Sequence, residues 1–562
     1  MNYRIVSSVL GHVAIIIGCC MFCCLPWGLQ AFGGGTNEGL GVRGLVCGGF
    51  GSIALGSILA MLGRGADKNR LYRKEAIVIV GLSWILAVIL GATPYLISET
   101  QRAPGIPMSI GDAFFESASG LTTTGATVFS ELENKEFLPR CILFWRMTTH
   151  FLGGLGVVCF FVALLGQGGR GKTALKIEHS LSGKMPASKM KTIALYLFSI
   201  YVGINATCCL ALLCCGLSLF DAISHAFSVS ALGGFSTRNA SVLAFSSDHN
   251  VHGAAVELVL IFFMLLSGTN YWLIFWTVKG RPEKLFRDSE QRLYLLLIFL
   301  GIVTILTFGI ERRDFLDVVD KTQQSSNPVA NMDGRLLSDG SDDLNSLNRR
   351  PCKTLSTLAP VSGKGEALRS ATFQVISLAT GSGFATYRYE YWNATSLVAI
   401  VFLMFVGGCS GSAAGGAKVF RILLCWKAFF FNLASTFSPN VVRAIHLDDE
   451  YVDKDTLHAA VVYLLAFLTL ISVTAAIVIS IEPDQIWLER FESQVEKTSD
   501  IYVASLSMYA NVGPALGVLG SFENYGALSE PTKFIFGCAS LLGRLEIWTI
   551  LALLSPNFWR NR

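Results

Sequence analysis

Hydrophobic positions in this chain come in long unbroken runs, not in the short alternations of a soluble fold. Apolar stretches of roughly 18 residues or more, enough to cross a bilayer core as a helix, occur near residues 6–27, 44–62, 76–97, 141–166, 192–219, 254–278, 291–310, 396–428, 457–481 and 532–555. The pattern predicts about ten transmembrane spans and an all-α polytopic membrane protein. It fails between about 311 and 368, where TQQSSNPVANMDGRLLSDGSDDLNSLNRRP is too polar to form a core and reads as a mobile external insertion.

Composition agrees with the pattern. Of 562 residues 52% are hydrophobic and only 15% charged, far from the balance of a soluble protein. The 15 cysteines fall almost entirely in apolar runs, as in Cys19-Cys20, Cys208-Cys209 and Cys214-Cys215, where a thiol behaves as a small hydrophobe. Neither a disulfide framework nor a zinc spacing is visible. A net charge of +4 is too small to point to nucleic acid, but its distribution is informative. Lys and Arg concentrate in the loop GRGADKNRLYRK (63–74), between Arg170 and Lys191, in KGRPEKLFRDSEQR (279–292) and in the tail NFWRNR (557–562). The positive-inside rule makes these cytoplasmic, and with ten spans both termini lie inside. The run from Val6 to Trp27 has no small-residue cleavage site after it and reads as a retained first helix.

One hairpin is written four times. DAFFESASGLTTTGAT (112–127), DAISHAFSVSALGGFS (221–236), SATFQVISLATGSGFA (370–385) and DIYVASLSMYANVGPA (500–515) align without gaps, and each lies between two apolar runs. Each copy opens on a residue suited to cap a helix, Asp112, Asp221, Ser370 or Asp500. All four share a serine (Ser119, Ser228, Ser377, Ser507) and a glycine (Gly125, Gly234, Gly383, Gly513) in register. The spacing predicts a short helix of about ten residues, reaching halfway into the bilayer, followed by a turn of non-helical backbone.

Such backbone is tolerated at membrane depth only where it is buried in protein or lines a water-filled cavity, and four copies most economically share one. The C-terminal dipole ends of four short helices aimed there favour a cation. Rings of backbone carbonyls replace the hydration shell of an ion in potassium filters. The candidate potassium-binding quarters are Thr122-Thr123-Thr124-Gly125, Ala231-Leu232-Gly233-Gly234, Thr380-Gly381-Ser382-Gly383 and Ala510-Asn511-Val512-Gly513. The bland alternative is a set of glycine-rich turns in an ordinary helical bundle.

A second unusual stretch, GGCSGSAAGGAK (407–418), interrupts an apolar run with Gly407, Gly408, Gly411, Gly415 and Gly416. Each glycine costs roughly 1 kcal/mol against alanine in a helix interior, so this span should be broken. Arg544 lies inside the final apolar run, where an unpaired charge is costly; it should face a pore or pair with a neighbour such as Glu546. Lys418 and Arg421 read as side chains snorkelling at a helix end. Arg146 should hold its span to a short-helix carboxylate, Asp112 or Glu116, and His150 reads as a satisfied packing residue. Glu257 is a further polar residue within an apolar run.

TTTGAT, GGFST and GFAT, with FVGGCSGSAAGGAKVFRILL (405–424) and LLGRLEIWTILALLSPNFWR (541–560), resemble the Trk/Ktr family of potassium uptake proteins. The resemblance covers nearly the whole chain. It implies four fused span–pore-helix–span units around one pore, with the two extra N-terminal spans of the Trk-type branch. The units divide as 1–75 for the N-terminal helix pair, then 76–170, 171–280, 281–430 with the insertion, and 431–562. It further implies a bacterial cytoplasmic-membrane protein taking up potassium ion without a covalent cofactor. The glycine-rich loop and Arg544 would then gate the pore. The implied partners are a second copy of the chain and a cytoplasmic ring of TrkA-like NAD- or ATP-binding subunits; GQGGRGK (166–172) lacks the pattern of a phosphate loop. Leu232 and Gly233 occupy places where small or hydroxyl residues are more usual in the family, and Gly381 precedes Ser382 where family members often carry threonines. A coupled secondary cation transporter or a less selective potassium/sodium channel are the alternatives; nothing in the sequence supports an enzyme.

Overall fold

The computed structural model describes residues 2–29, 38–65, 73–165, 190–246, 251–309, 364–437, 445–448, 450–491 and 494–560. Nearly all of the polar insertion at 311–368 and of the basic loop at 170–191, with the phosphate-loop-like GQGGRGK, lies outside the described residues.

The described chain is helical apart from two small antiparallel hairpins, Gln101–Ala103 with Ile106–Pro107 and Ile445–Leu447 with Glu450–Val452. Among the described residues seven helices are long and apolar enough to cross a membrane, or nine if two sharply bent helix pairs each count as one span. The remaining predicted runs meet the 26-residue helix Arg140–Leu165 and the 13-residue helix Ala394–Val406. The N-terminal pair, Tyr3–Cys23 and Glu38–Leu62, packs on a small-residue seam: a β-carbon at Gly11 would meet the backbone of Gly56 and Ala60. Small residues let membrane helices approach this closely.

Two runs predicted to be continuous are not. The 254–278 run is Gly253–Ser267 and Tyr271–Val278, bent by 103°, and the 532–555 run is Glu530–Arg544 and Ile547–Leu554, bent by 116°. The first bend is held by Asn270, whose side chain accepts the Trp272 N–H at 2.9 Å and starts a new helix. The second falls at Glu546, whose φ of +58° no helix accommodates. The predicted break at 407–418 is present, between Ala394–Val406 and Val419–Phe437.

The four repeats are helices Ile110–Leu121, Leu219–Ala231, Lys364–Thr380 and Gln494–Ala510. The expected caps need correction. Ser109 and Ser218 cap the first two helices, with Asp112 and Asp221 in the first turn behind them, and Ser109 and Asp112 close a capping box. Ser370 and Asp500 lie inside helices that begin earlier. A serine three residues upstream supplies the cap oxygen, and the aspartate commits one carboxylate oxygen to that serine and keeps the other for a distant partner. Asp112 uses that second oxygen to pair with Lys533 at 2.5 Å, both side chains buried, so the first repeat is clamped to the last long helix of the chain. Tyr525 adds to this seam: its N–H donates to Thr127 O and its hydroxyl to Gly513 O, both at 2.8 Å.

Candidate ion pathway

All four repeats end in the same backbone device. Thr124, Gly233, Ser382 and Val512 donate their N–H groups to the carbonyls of Ser119, Ser228, Ser377 and Ser507 at 2.8, 2.8, 2.8 and 3.0 Å. The preceding residues, Thr123, Leu232, Gly381 and Asn511, donate to Gly120, Val229, Leu378 and Met508 at 3.0–3.3 Å. This pair of bonds is a Schellman cap, which requires a left-handed residue just past the helix. Thr123, Leu232, Gly381 and Asn511 are that residue, with φ of +54°, +56°, +79° and +53°. The departures seen at Leu232 and Gly381 thus fall at the strained position of the cap. Glycine is the natural occupant there; a residue with a β-carbon costs roughly 1–2 kcal/mol.

Two residues further on, Gly125, Gly234, Gly383 and Gly513 are left-handed as well, with φ of +83°, +75°, +71° and +99°. Their surroundings form a cycle. A β-carbon on Gly125 would strike Gly233 O, one on Gly234 would strike Ser382 O, one on Gly383 would strike Val512 O, and one on Gly513 would strike Thr124 O. Each glycine lies against the carbonyl of the next repeat, and the fourth returns to the first. The four turns therefore meet in a closed ring, where the carbonyls of Thr124, Gly233, Ser382 and Val512 come together. Hydroxyl pairs stiffen two of the turns, Thr122 with Thr124 at 2.8 Å and Thr380 with Ser382 at 2.9 Å. Asn511 donates to Thr124 Oγ1 at 3.0 Å and so ties the fourth turn to the first. Ala231 and Ala510 end their helices and are buried.

The glycine-rich stretch lies against this ring. Ala417 and Lys418 donate to Phe405 and Val406 O at 3.0 and 2.9 Å, so residues 407–416 form a closed hairpin. Gly407, Gly411 and Gly416 have positive φ; Gly407 abuts Gly415, and Gly408 abuts Gly268 O. A β-carbon at Gly415 would strike Ala510 O, and Gly415 N lies 3.8 Å from where one at Gly381 would be. The loop thus touches the third and fourth turns directly. Its backbone groups are satisfied by the other breaks, as buried polar backbone requires: Cys409 N donates to Gly268 O at 3.0 Å, Ala413 N to Ser267 O at 3.3 Å, and Tyr271 N to Gly411 O at 3.1 Å.

Arg544 reaches the loop from the third break and donates from Nη1 to Ala413 O at 2.7 Å, while its Nε and Nη2 have no protein partner among the described residues. Its alternative partner, Glu546, is taken by Arg421 at 2.6 Å. Lys418 and Arg421 are not snorkelling: both are buried, Lys418 Nζ donating to Ala414 O at 2.6 Å and Arg421 lying over the Tyr463 ring. Sequence reasoning missed Glu290, which accepts from Ser410 N at 2.5 Å and Phe420 N at 3.2 Å and so holds both ends of the loop. An acid in the first turn of a helix after a charged loop gives no signal of such a role.

Arg146 pairs with Glu116 at 2.5 Å, one of its two expected partners, and donates to Ser236 O at 3.0 Å. Glu116 also accepts from Thr127 and Val128 N, which anchors the chain leaving the first turn. Glu257 is buried and meets Arg369 at 3.2 Å.

The chain matches the TrkH family model, described as cation transport protein, over residues 45–561. It is 32% identical over 565 residues to the Trk system potassium uptake protein TrkH of Salmonella typhimurium and to that of Escherichia coli K12, covering 100% of both chains in each case. The crystal structure of the potassium transporter TrkH from Vibrio parahaemolyticus superposes with a TM-score of 0.76 at 27% identity, again covering 100% of each chain. A polytopic helical chain with this similarity along its whole length belongs to the TrkH family of cation transport proteins.

Proposed function

We propose that this protein carries potassium into the cell across the bacterial cytoplasmic membrane. The observation that carries the reading is the cyclic contact of Gly125, Gly234, Gly383 and Gly513 with the carbonyls of Gly233, Ser382, Val512 and Thr124. Four carbonyls from four chain segments, drawn together, can replace the hydration shell of an alkali ion. The relatives are named as potassium uptake proteins of the Trk system, which fits this chemistry.

In this reading the turn residues at 122–125, 231–234, 380–383 and 510–513 are the filter, and the four repeats with their flanking helices are its four units. The loop 407–418 and Arg544 are the gate. The two other broken helices, through Ser267, Gly268, Tyr271 and Arg544, and Glu290 hold the loop by hydrogen bonds that break when it moves. Arg544 has no carboxylate partner among the described residues, and its charge next to the ring opposes a cation until the side chain is displaced. The protein acts as a homodimer with both termini in the cytoplasm, and a TrkA-like nucleotide-binding subunit moves the gate.

Rubidium or potassium flux into liposomes holding the purified chain, with sodium as competitor, tests the proposal. Saturating uptake that sodium fails to displace is expected. Equal sodium and potassium fluxes, or absence of cation flux in the Arg544→Ala variant as well as in wild type, would overturn it.

A further inference from the structure

The four ring carbonyls are not equivalent. His150, buried on the helix Arg140–Leu165, places Nε2 2.7 Å from Gly233 O and Nδ1 2.7 Å from Gly120 O. Among the described residues the carbonyls of Thr124, Ser382 and Val512 meet no side-chain donor. The ring of His150 also fills the space beside the second turn: a β-carbon on Gly233 would strike its Cδ2, Nε2 and Cγ.

The imidazole is held rigidly. Phe235 stacks on it with centroids 4.0 Å apart and planes 12° from parallel, and Arg146 covers the Phe235 ring at 3.5 Å. Arg146 is fixed in turn by Glu116 and Ser236 O. A side chain locked in this way directs its N–H with little freedom, as a positioning group must. A neutral imidazole has one N–H for the two carbonyls. Gly120 O already accepts from Thr123 N at 3.1 Å, so the proton belongs on Nε2, facing Gly233 O at 2.7 Å. This outweighs the longer approach of the Phe235 N–H to Nε2 at 3.3 Å, which the other tautomer would accept. The ring therefore governs how much of the lone-pair density of Gly233 O is left for an ion.

We propose that His150 is a specificity-determining positioning residue: by hydrogen bonding it orients the Gly233 carbonyl and weakens its pull on the ion relative to the other three. The inference rests on the potassium reading above. It makes the filter asymmetric, with its weakest coordinating oxygen in the second turn.

The test uses the full chain in liposomes, measuring rubidium uptake against sodium for wild type, His150→Gln and His150→Met. Gln retains an N–H donor; Met fills similar volume without one. His150→Met should change the rubidium/sodium preference by about fivefold, the worth of one neutral hydrogen bond, and shift the apparent rubidium affinity more than the maximal rate. His150→Gln should stay close to wild type. An unchanged preference in His150→Met overturns the proposal, as does an equal change in both variants, which would mean packing alone. If wild type itself shows no rubidium preference, the potassium reading fails and this inference with it. Nitrogen-15 spectra of histidine-labelled wild type need no variant. One of the 8 histidines should shift its Nε2 resonance when potassium replaces an impermeant cation, and no such shift would equally overturn the idea.

Discussion

Replacing Gly513 by alanine separates the two demands the ring makes on its glycines. The first is conformational: φ is +99°, and a β-carbon in the left-handed region costs roughly 1–2 kcal/mol. The second is steric: the added carbon would lie 2.5 Å from Thr124 O, whereas a carbon–oxygen contact relaxes to about 3.3 Å. The first and fourth turns must therefore part by most of an ångström, at the point where carbonyl spacing decides which ion is held. Gly280 provides the control. Its φ is +81° and nothing lies within 4 Å of its would-be β-carbon, so Gly280→Ala carries the conformational cost alone. Thermal midpoints in detergent should fall for both variants. Rubidium uptake in liposomes with sodium as competitor should keep its selectivity in Gly280→Ala and lose more than tenfold in Gly513→Ala, a change of about 1.4 kcal/mol. Wild-type selectivity in a folded Gly513→Ala protein would refute the argument that these glycines exist to let neighbouring carbonyls close the ring.

Removing the loop's anchors should open the path: Arg544→Ala and Glu290→Ala should each raise basal uptake in the absence of any nucleotide-binding subunit. Glu290→Gln, which keeps an acceptor for Ser410 N and Phe420 N, should stay near wild type, and equal leak from Gln and Ala would exclude the anchoring role. At the seam, Lys533→Met leaves the buried Asp112, among the described residues, only the longer ion pair with Arg102 at 3.6 Å and should cost up to about 3 kcal/mol; adding Asp112→Asn should restore most of the thermal midpoint. Outside the spans, burial holds the Glu390 carboxyl above the usual carboxylate range, against the Ser521 hydroxyl and Arg388. The fold prefers its protonated form, so this stability is fully present below the ordinary carboxylate range, is lost as pH rises from there through the raised value, and is constant above it. Glu390→Gln should therefore melt above wild type at pH 7 and converge with it on acidification, and a constant gap across that range would contradict the assignment.

What the amino-acid order determined was everything written in local pattern. Long apolar runs announce spans because lipid admits only backbone that bonds within its own segment. Four aligned hairpins announce four equivalent turns, because a glycine recurring in one register past a helix end marks the same backbone turn each time. The five glycines of 407–418 announce a break because their cost in a helix is intrinsic.

What only the tertiary structure decided was which groups meet. The bends at Gly268–Asn270 and at Glu546 combine a local cue with partners on other segments: Asn270 caps the new helix, while Cys409 N on Gly268 O, Tyr271 N on Gly411 O and Arg421 on Glu546 hold the broken ends in place. The choice of Glu116 over Asp112 for Arg146, and of Arg421 over Arg544 for Glu546, follows from where helices distant in sequence come to lie. The roles of Glu290 and His150 depend on loop and turn backbone brought to them from 83 to 130 residues away. Periodicity and propensity report how a residue treats its own segment; the closing of a ring depends on distances between segments, and those exist only once the chain has packed.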